Sequence, residues 1–191
     1  MLAIFMTILG ILIRIFPHPP NFTPISATAI FGGAKLNKKY ALILPLVTLS
    51  ISDYLLLYIH PFGNPMFDFS RIQPISAMFH STTLFVWGSL VISGLIGLFI
   101  RSKNKPVFII GASLISSIQF FLITNFAVWM GGYYGLTING LLESYVQGLP
   151  FFQWTILGDL FYTVAFFGIY GLSSRFSKSA KLEFVRQKAQ D

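Results

Sequence analysis

Four stretches of this chain, residues 40–59, 81–100, 106–129 and 151–172, are each about as long and as apolar as a helix must be to cross a bilayer. One compact water-facing fold of 191 residues could not bury four of them. Charged residues make up 10% of the chain and hydrophobic ones 54%, whereas a soluble domain carries about 25% charged residues. Too few polar groups remain to clothe a surface in water, and 21 phenylalanines exceed what a single core of this size absorbs. The reading is an all-α, polytopic transmembrane helix bundle.

Two further apolar segments are shorter. Residues 2–16 form one and residues 24–35 the other, the latter amounting to roughly 18 Å of helix at about 1.5 Å per residue. Between them lies Pro17-His18-Pro19-Pro20-Asn21-Phe22-Thr23-Pro24, which its prolines keep out of helix. Thr23 followed by Pro24 reads as N-cap and first helical residue of the short segment. A span that short begins inside the membrane thickness. Irregular backbone at such depth survives only where protein or a water-filled cavity shields it from lipid, so residues 17–24 are expected to dip into a cavity.

Charge decides the orientation. If the N-terminus is cytoplasmic and all six segments cross, one side receives Lys35, Lys38, Lys39, Arg101, Lys103, Lys105, Arg175, Lys178, Lys181, Arg186 and Lys188. These are 11 of the 13 Lys and Arg residues, and only Arg14 and Arg71 fall outside. The positive-inside rule demands such a bias, and it holds only if residues 24–35 cross. Both termini are therefore expected in the cytoplasm. Residues 1–173 form the transmembrane domain, and 174–191 form a basic cytoplasmic tail, either disordered or lying as an amphipathic helix on the anionic leaflet. The net charge of +7 is thus directed at the lipid bilayer rather than at nucleic acid. Residues 1–16 lack a basic start and a small-residue cleavage site, so no removed signal peptide is expected.

Chemistry motifs are sparse. There is no cysteine, hence no disulfide, thiolate metal site or cysteine nucleophile. His18, His60 and His80 fall on the outer side with Asp68, but no two share helix-face spacing, and no metal or other cofactor is expected. Nucleophile motifs, phosphate loops and HExxH are missing from the sequence. An intramembrane hydrolase working through Asp53 and Asp159 is the third-ranked function.

The polar residues inside spans say more, because ionisable groups there face a partner or an aqueous cavity. At about 1.5 Å per residue, Asp53 lies roughly 21 Å from the inner face, Asp159 roughly 24 Å, and Arg14 and Asn125 roughly 20 and 30 Å. All belong to the outer half of a hydrocarbon core about 30 Å thick. Two acids and one base at one depth leave an acid to be satisfied otherwise. Arg14 is expected to pair with Asp53 or Asp159. Asn21, Asp53, Asn125, Trp129 and Asp159 are expected to line an outward-facing pocket, with Gln119 also polar within its span. The amino end of the Pro24 helix points at that pocket and favours an anionic group. Phe126, Tyr133 and Tyr134 offer aromatic surface beside Gly131-Gly132. Small residues at packing spacing, Ala29 with Gly33 and Ser89 with Ser93 and Gly97, mark close helix crossings within the bundle or a docking face for another subunit.

Several runs resemble an uncharacterised bacterial family of six-helix membrane proteins. They are residues 17–27 with Phe31-Gly32-Gly33-Ala34, then Ser52-Asp53, then Phe120-Phe121-Leu122-Ile123-Thr124-Asn125-Phe126 with Trp129, and Gly148-Leu149-Pro150-Phe151-Phe152 with Gly158-Asp159. That resemblance spans about residues 14–168 and brings no activity with it. The overall plan is also similar, more distantly, to the substrate-binding S components of energy-coupling-factor vitamin transporters. It differs in its Pro-rich first connection and in offering only Ala3 and Thr7 where those proteins carry an Ala-xxx-Ala coupling face. The similarity implies residence in the bacterial inner membrane, an outward-open pocket for a small-molecule ligand, and a transmembrane coupling subunit with ATPases as partners. The leading expectation is a small-molecule binding or transport component, and the alternative is a structural or assembly subunit whose polar residues hold helices together.

Overall fold

A computed structural model of the chain describes residues 2–103 and 105–188. Among these the fold is all-α, with six helices and no strand: α1 (Leu2–Ile15), α2 (Ile25–Lys35), α3 (Lys38–Leu55), α4 (Thr83–Phe99), α5 (Pro106–Met130) and α6 (Ile138–Lys188). A short 3-10 turn, Ile75–Met78, interrupts the long α3–α4 connection.

The shortest helix sits at the centre. Every residue of α2 from Ile25 to Ala34 is buried, and α2 touches each of the other five helices. Its small side chains make that possible. A Cβ on Gly33 would stand 2.4 Å from the Gly94 carbonyl oxygen, and one on Gly97 would stand 2.2 Å from that of Ile30. The α2 and α4 backbones therefore touch directly, as small-xxx-small faces allow. Ala29, Ser89 and Ser93 are completely buried too. Both small-residue faces are thus spent inside the bundle, leaving neither to dock another subunit.

Three boundaries differ from the sequence expectation. Pro24, not Thr23, occupies the N-cap of α2, with no side-chain cap; Thr23 is drawn instead into a tight turn, its amide donating to the Asn21 carbonyl at 2.9 Å. α3 stops at Leu55 rather than residue 59, because the chain turns there into an aromatic cluster. Tyr58 stacks on Phe69, pairs edge-on with Tyr54, and its hydroxyl accepts the Gln73 amide at 2.9 Å. α6 begins at Ile138, well before Phe151, and carries Pro150 inside it. Around that proline the Gln153 amide donates to the Pro150 carbonyl and the Thr155 hydroxyl to that of Phe151, both at 3.1 Å, giving local carbonyls side-chain partners. α6 also passes residue 173 without a break and continues to Lys188. Whether its last turns present an amphipathic face concerns side chains that lie outside the described residues.

The interior mixes polar with apolar side chains, and the surface carries many large apolar ones. Among the buried residues are Thr28, Thr48, Ser52, Ser89, Ser93, Ser113, Ser116, Ser117, Asp159 and Thr163, while Ile4, Phe5, Ile115, Leu122, Phe161, Ile169 and Leu172 lie exposed. Two helices, Pro106–Met130 and Ile138–Ser174, are long and apolar enough to cross a membrane, and only 22% and 28% of their apolar windows are buried. Shorter apolar helices run over Ile4–Ile15, Leu42–Leu55 and Thr83–Phe99.

The bundle has two unlike ends. At the basic end Arg101 reaches the Gly33 carbonyl at 3.4 Å, and the Lys103 ammonium rests 3.9 Å over the Phe99 ring. Ile30, Ala34, Ile100 and Ala112, with Ile109 and Phe167 packed against them, form an apolar cluster behind these basic residues. The opposite end, where α2 begins, is polar.

Candidate functional site

The polar end is organised by the turn before α2. Asn21 adopts a left-handed conformation, φ 64°, which Asn tolerates better than most residues because its short polar side chain bonds locally. The chain then folds back, with the Phe22 amide donating to the Pro19 carbonyl at 3.0 Å. Phe22 packs against Phe161 and Tyr162 of α6. Its backbone presses onto Gly158, where a Cβ would stand 3.0 Å from the Phe22 Cα. Contact at Gly158 brings the turn directly beside Asp159.

A cavity of about 210 Å³ opens there, with Arg14, Asn21, Ser26, Asp53, His80, Thr155 and Asp159 in its wall. Asn21 and His80 are exposed at the rim, and Ser26 and Asp159 are buried in the floor. A second hollow of about 100 Å³ contains Asn125 and Gly148 and shares Asn21, Phe120 and Thr155 with the first, so the two are contiguous. Asn125 stands on α5, its amide bonded to the Phe121 carbonyl at 2.8 Å. Asn21, Arg14, Asp53, Asp159 and Asn125 are therefore gathered at one end of the bundle.

Trp129 is not among them. Its indole N–H donates to the Thr137 carbonyl at 2.9 Å and its ring packs on Phe126, so it closes the α5–α6 turn. An indole N–H at a polar boundary requires an acceptor, and the turn supplies one before the cavity can. Tyr133 and Tyr134 are exposed near the same turn. His18, His60 and His80 do not converge, and among the described residues no three His or acidic side chains come together as a metal site. Asp68, in the α3–α4 connection, has its carboxyl held below the usual carboxylate range by hydrogen bonds from the Ser70 hydroxyl and amide.

The two acids occupy separate hydrogen-bond sets. Arg14 bridges Asp53 Oδ1 at 2.6 Å, with side-chain exposures of 17% and 21%. The same guanidinium nitrogen contacts the Ser52 hydroxyl and the Leu49 carbonyl, locking α1 to α3. Asp159 is 2% exposed. The Ser117 hydroxyl bonds its Oδ2 at 2.8 Å, and Ser26 at the start of α2 bonds the carboxyl as well. Beside it runs a second polar seam: Ser93 and Ser116 share a hydrogen bond of 2.6 Å, and the Gln119 amide donates at 3.0 Å to both Ser93 Oγ and the Ser89 carbonyl. Ser26, Ser117 and Thr155 are site residues that inspection of the sequence missed. The available signal was the one-turn repeat Ser113-xxx-Ser117 facing Asp159-xxx-Thr163, which stripes both helices with polar groups.

Residues 1–182 match a family of unknown function (DUF6580). The chain belongs to that family. No curated protein and no solved structure matches it. The match to DUF6580 takes in all six helix starts, the Pro-rich turn and both acids, so the cavity lies wholly within the family region.

Proposed function

We propose that this DUF6580 protein is a multi-pass protein of the bacterial cytoplasmic membrane that binds a small polar solute from the outer side. The observation that carries this reading is the polar cavity at one end of an otherwise lipid-compatible bundle, with the apolar Ile30–Ala34–Ile100–Ala112 cluster toward the other end. Large exposed apolar faces on α1, α4, α5 and α6 surround buried serines, threonines and one acid, the arrangement a bilayer rather than water favours. The basic residues near Lys35 and Arg101 favour a cytoplasmic position for that end. The uncapped amino end of α2 in the cavity wall offers N–H donors to an acceptor or anionic group on the solute. Asn21, His80 and Thr155 supply further hydrogen-bonding groups, and Arg14 serves as the charge partner of Asp53 rather than as a ligand. The sequence contains no phosphate loop. Uptake would then draw energy from an ion gradient or from a coupling subunit with ATPases, as in S-component-like assemblies.

The assembly-subunit reading rests on the Arg14–Asp53 lock and the buried Ser and Gln seam, which would hold helices whatever the cavity does. A single experiment separates the two. The native protein is purified in nanodiscs, co-purifying solutes are identified by mass spectrometry, and metabolites are screened for a rise in unfolding temperature. Solute binding expects at least one hit, lost on Asn21→Ala with the fold retained. A protein that captures nothing, and whose Asn21→Ala variant is indistinguishable from wild type, is an assembly subunit.

A further inference from the structure

The helices around α2 leave one open joint. α1 packs on α3 and α2, α6 packs on α5 and α2, and among the described residues no Cα of α1 comes within 8 Å of one of α6. An apolar hollow of about 140 Å³ lies in this gap. Phe5, Met6 and Leu9 of α1 form one wall, Phe166, Ile169 and Tyr170 of α6 the other, and Phe31 of α2 the back. Met6, Phe31 and Phe166 are buried, whereas Phe5 and Ile169 stand exposed at the lips. From Phe166 to Ser173 the α6 wall runs about 10 Å.

Water has little to hold there. Of the lining residues, Ser173 and Tyr170 carry hydroxyls, and the Ser173 hydroxyl already donates to the Tyr170 carbonyl at 3.0 Å. An ordered water needs about two to four polar partners. Walls of Phe, Met, Leu and Ile offer dispersion contacts instead, so the occupant that fits is apolar. Charge supplies the rest. The hollow ends at Tyr170 and Ser173, and the Lys35 ammonium lies 5.8 Å from the centroids of both the Tyr170 and the Phe167 rings. An ammonium carries three donors, so these ring contacts leave it able to bond a phosphate oxygen. Lys38 and Lys39 open α3 just after it. Basic residues at a membrane surface attract anionic lipid, and apolar walls that finish beside a lysine match a lipid tail below an anionic headgroup.

We propose that the α1–α6 groove seats an acyl chain of an anionic phospholipid of the cytoplasmic leaflet, with the phosphate held at Lys35. The tail bridges two helices that do not pack on each other, and it covers the exposed rings and side chains at the groove's lips. The site rests on the membrane placement proposed above and is independent of the solute cavity, which opens at the other end of the bundle.

The test places the full-length protein in nanodiscs made of equal parts phosphatidylcholine and phosphatidylglycerol. Native mass spectrometry then reads which lipid stays bound as the disc is stripped away. One phosphatidylglycerol per chain is expected to outlast the rest. Lys35→Gln should lower its share relative to phosphatidylcholine about fivefold, and Lys35→Arg should preserve it. Lys103→Gln removes a charge from the same end, beside Phe99, and should leave the share unchanged. Leu9→Trp fills the hollow and should expel the lipid; if that variant does not fold, the Lys35 and Lys103 variants decide alone. Equal losses on Lys35→Gln and Lys103→Gln mark general surface attraction and overturn the site. Retention of no lipid, equal retention of both lipids, or a copurified protein subunit that Leu9→Trp expels in place of lipid, overturns it as well. A chain that does not enter the discs at all refutes the membrane placement, and the lipid site with it.

Discussion

Replacing Gly97 by alanine tests whether α2 is truly clasped by α4. A Cβ at Gly97 would lie 2.2 Å from the Ile30 carbonyl oxygen, 2.8 Å from its carbonyl carbon and 2.9 Å from its Cα. Ordinary contact for such a pair begins near 3.4 Å, so the helices must part by more than an ångström. The obstacle is backbone, not the end of a flexible side chain, and it belongs to a helix that also packs against α1, α3, α5 and α6. Moving α2 would therefore disturb four other interfaces. Overpacking of this kind costs about 1–3 kcal/mol. The opposing gain, about 1 kcal/mol of helix propensity for alanine over glycine, is muted on the proposed membrane reading, because a helix in lipid remains helical when the bundle comes apart. A net loss of about 2 kcal/mol is expected, read as an earlier midpoint in SDS titration of the protein in mixed micelles. Gly88→Ala and Gly111→Ala are the controls, since a Cβ at either meets nothing within 4 Å. If Gly97→Ala unfolds at the same SDS fraction as Gly111→Ala, the direct α2–α4 backbone contact is wrong.

Removing one member of the Arg14–Asp53 pair should destabilise more than removing both. Arg14→Gln or Asp53→Asn alone is expected to cost about 2 kcal/mol, short of a fully buried pair because each partner retains some exposure, while the double variant recovers part of the loss in the same SDS titration. Gly148→Ala places a Cβ 2.3 Å from Asn125 Oδ1, a side-chain tip that can rotate away. Stability should change little, whereas Asn125 should be displaced and solute affinity, once a solute is found, should fall; unchanged affinity would remove Asn125 from the site. Because the chain has no cysteine, single-cysteine variants report topology directly. In sealed, right-side-out vesicles, Ile72→Cys should react with an impermeant maleimide and Lys103→Cys should not, and the reverse pattern would invert the assigned orientation.

How much of this was legible in the sequence depended on which coordinate a residue had to reveal. Position along the bundle axis follows from counting residues, so the clustering of Arg14, Asp53, Asp159, Asn21 and Asn125 at one end could be anticipated. Azimuth around the bundle does not follow from counting. Arg14 takes Asp53 rather than Asp159 because α1 packs on α3, a neighbour relation that no local pattern encodes. Trp129 has the depth expected of it but faces the α5–α6 turn. The start of α6 was concealed by Gly148 and Pro150, ordinary loop punctuation that α6 nonetheless carries within it. The buried hydroxyls of Ser113 and Thr163, neither with a hydrogen-bond partner, escaped notice because buried serine and threonine are also routine packing residues between helices.

The burial of α2 has a consequence for how the protein is made. Eleven residues extend about 16 Å, half the hydrocarbon thickness, which on the proposed membrane reading is too little apolar length for a lone span. The helix that receives it most closely, α4, starts only at Thr83, after the long connection that follows α3. At about 5–20 residues per second, the ribosome needs several seconds to supply that partner. On the proposed membrane reading, α2 waits during this interval without the helix it packs against most closely. Assembly of this chain then depends, on that reading, on the order of synthesis, and conditions that slow elongation across the α3–α4 connection should increase the share of chains degraded before their central helix is enclosed.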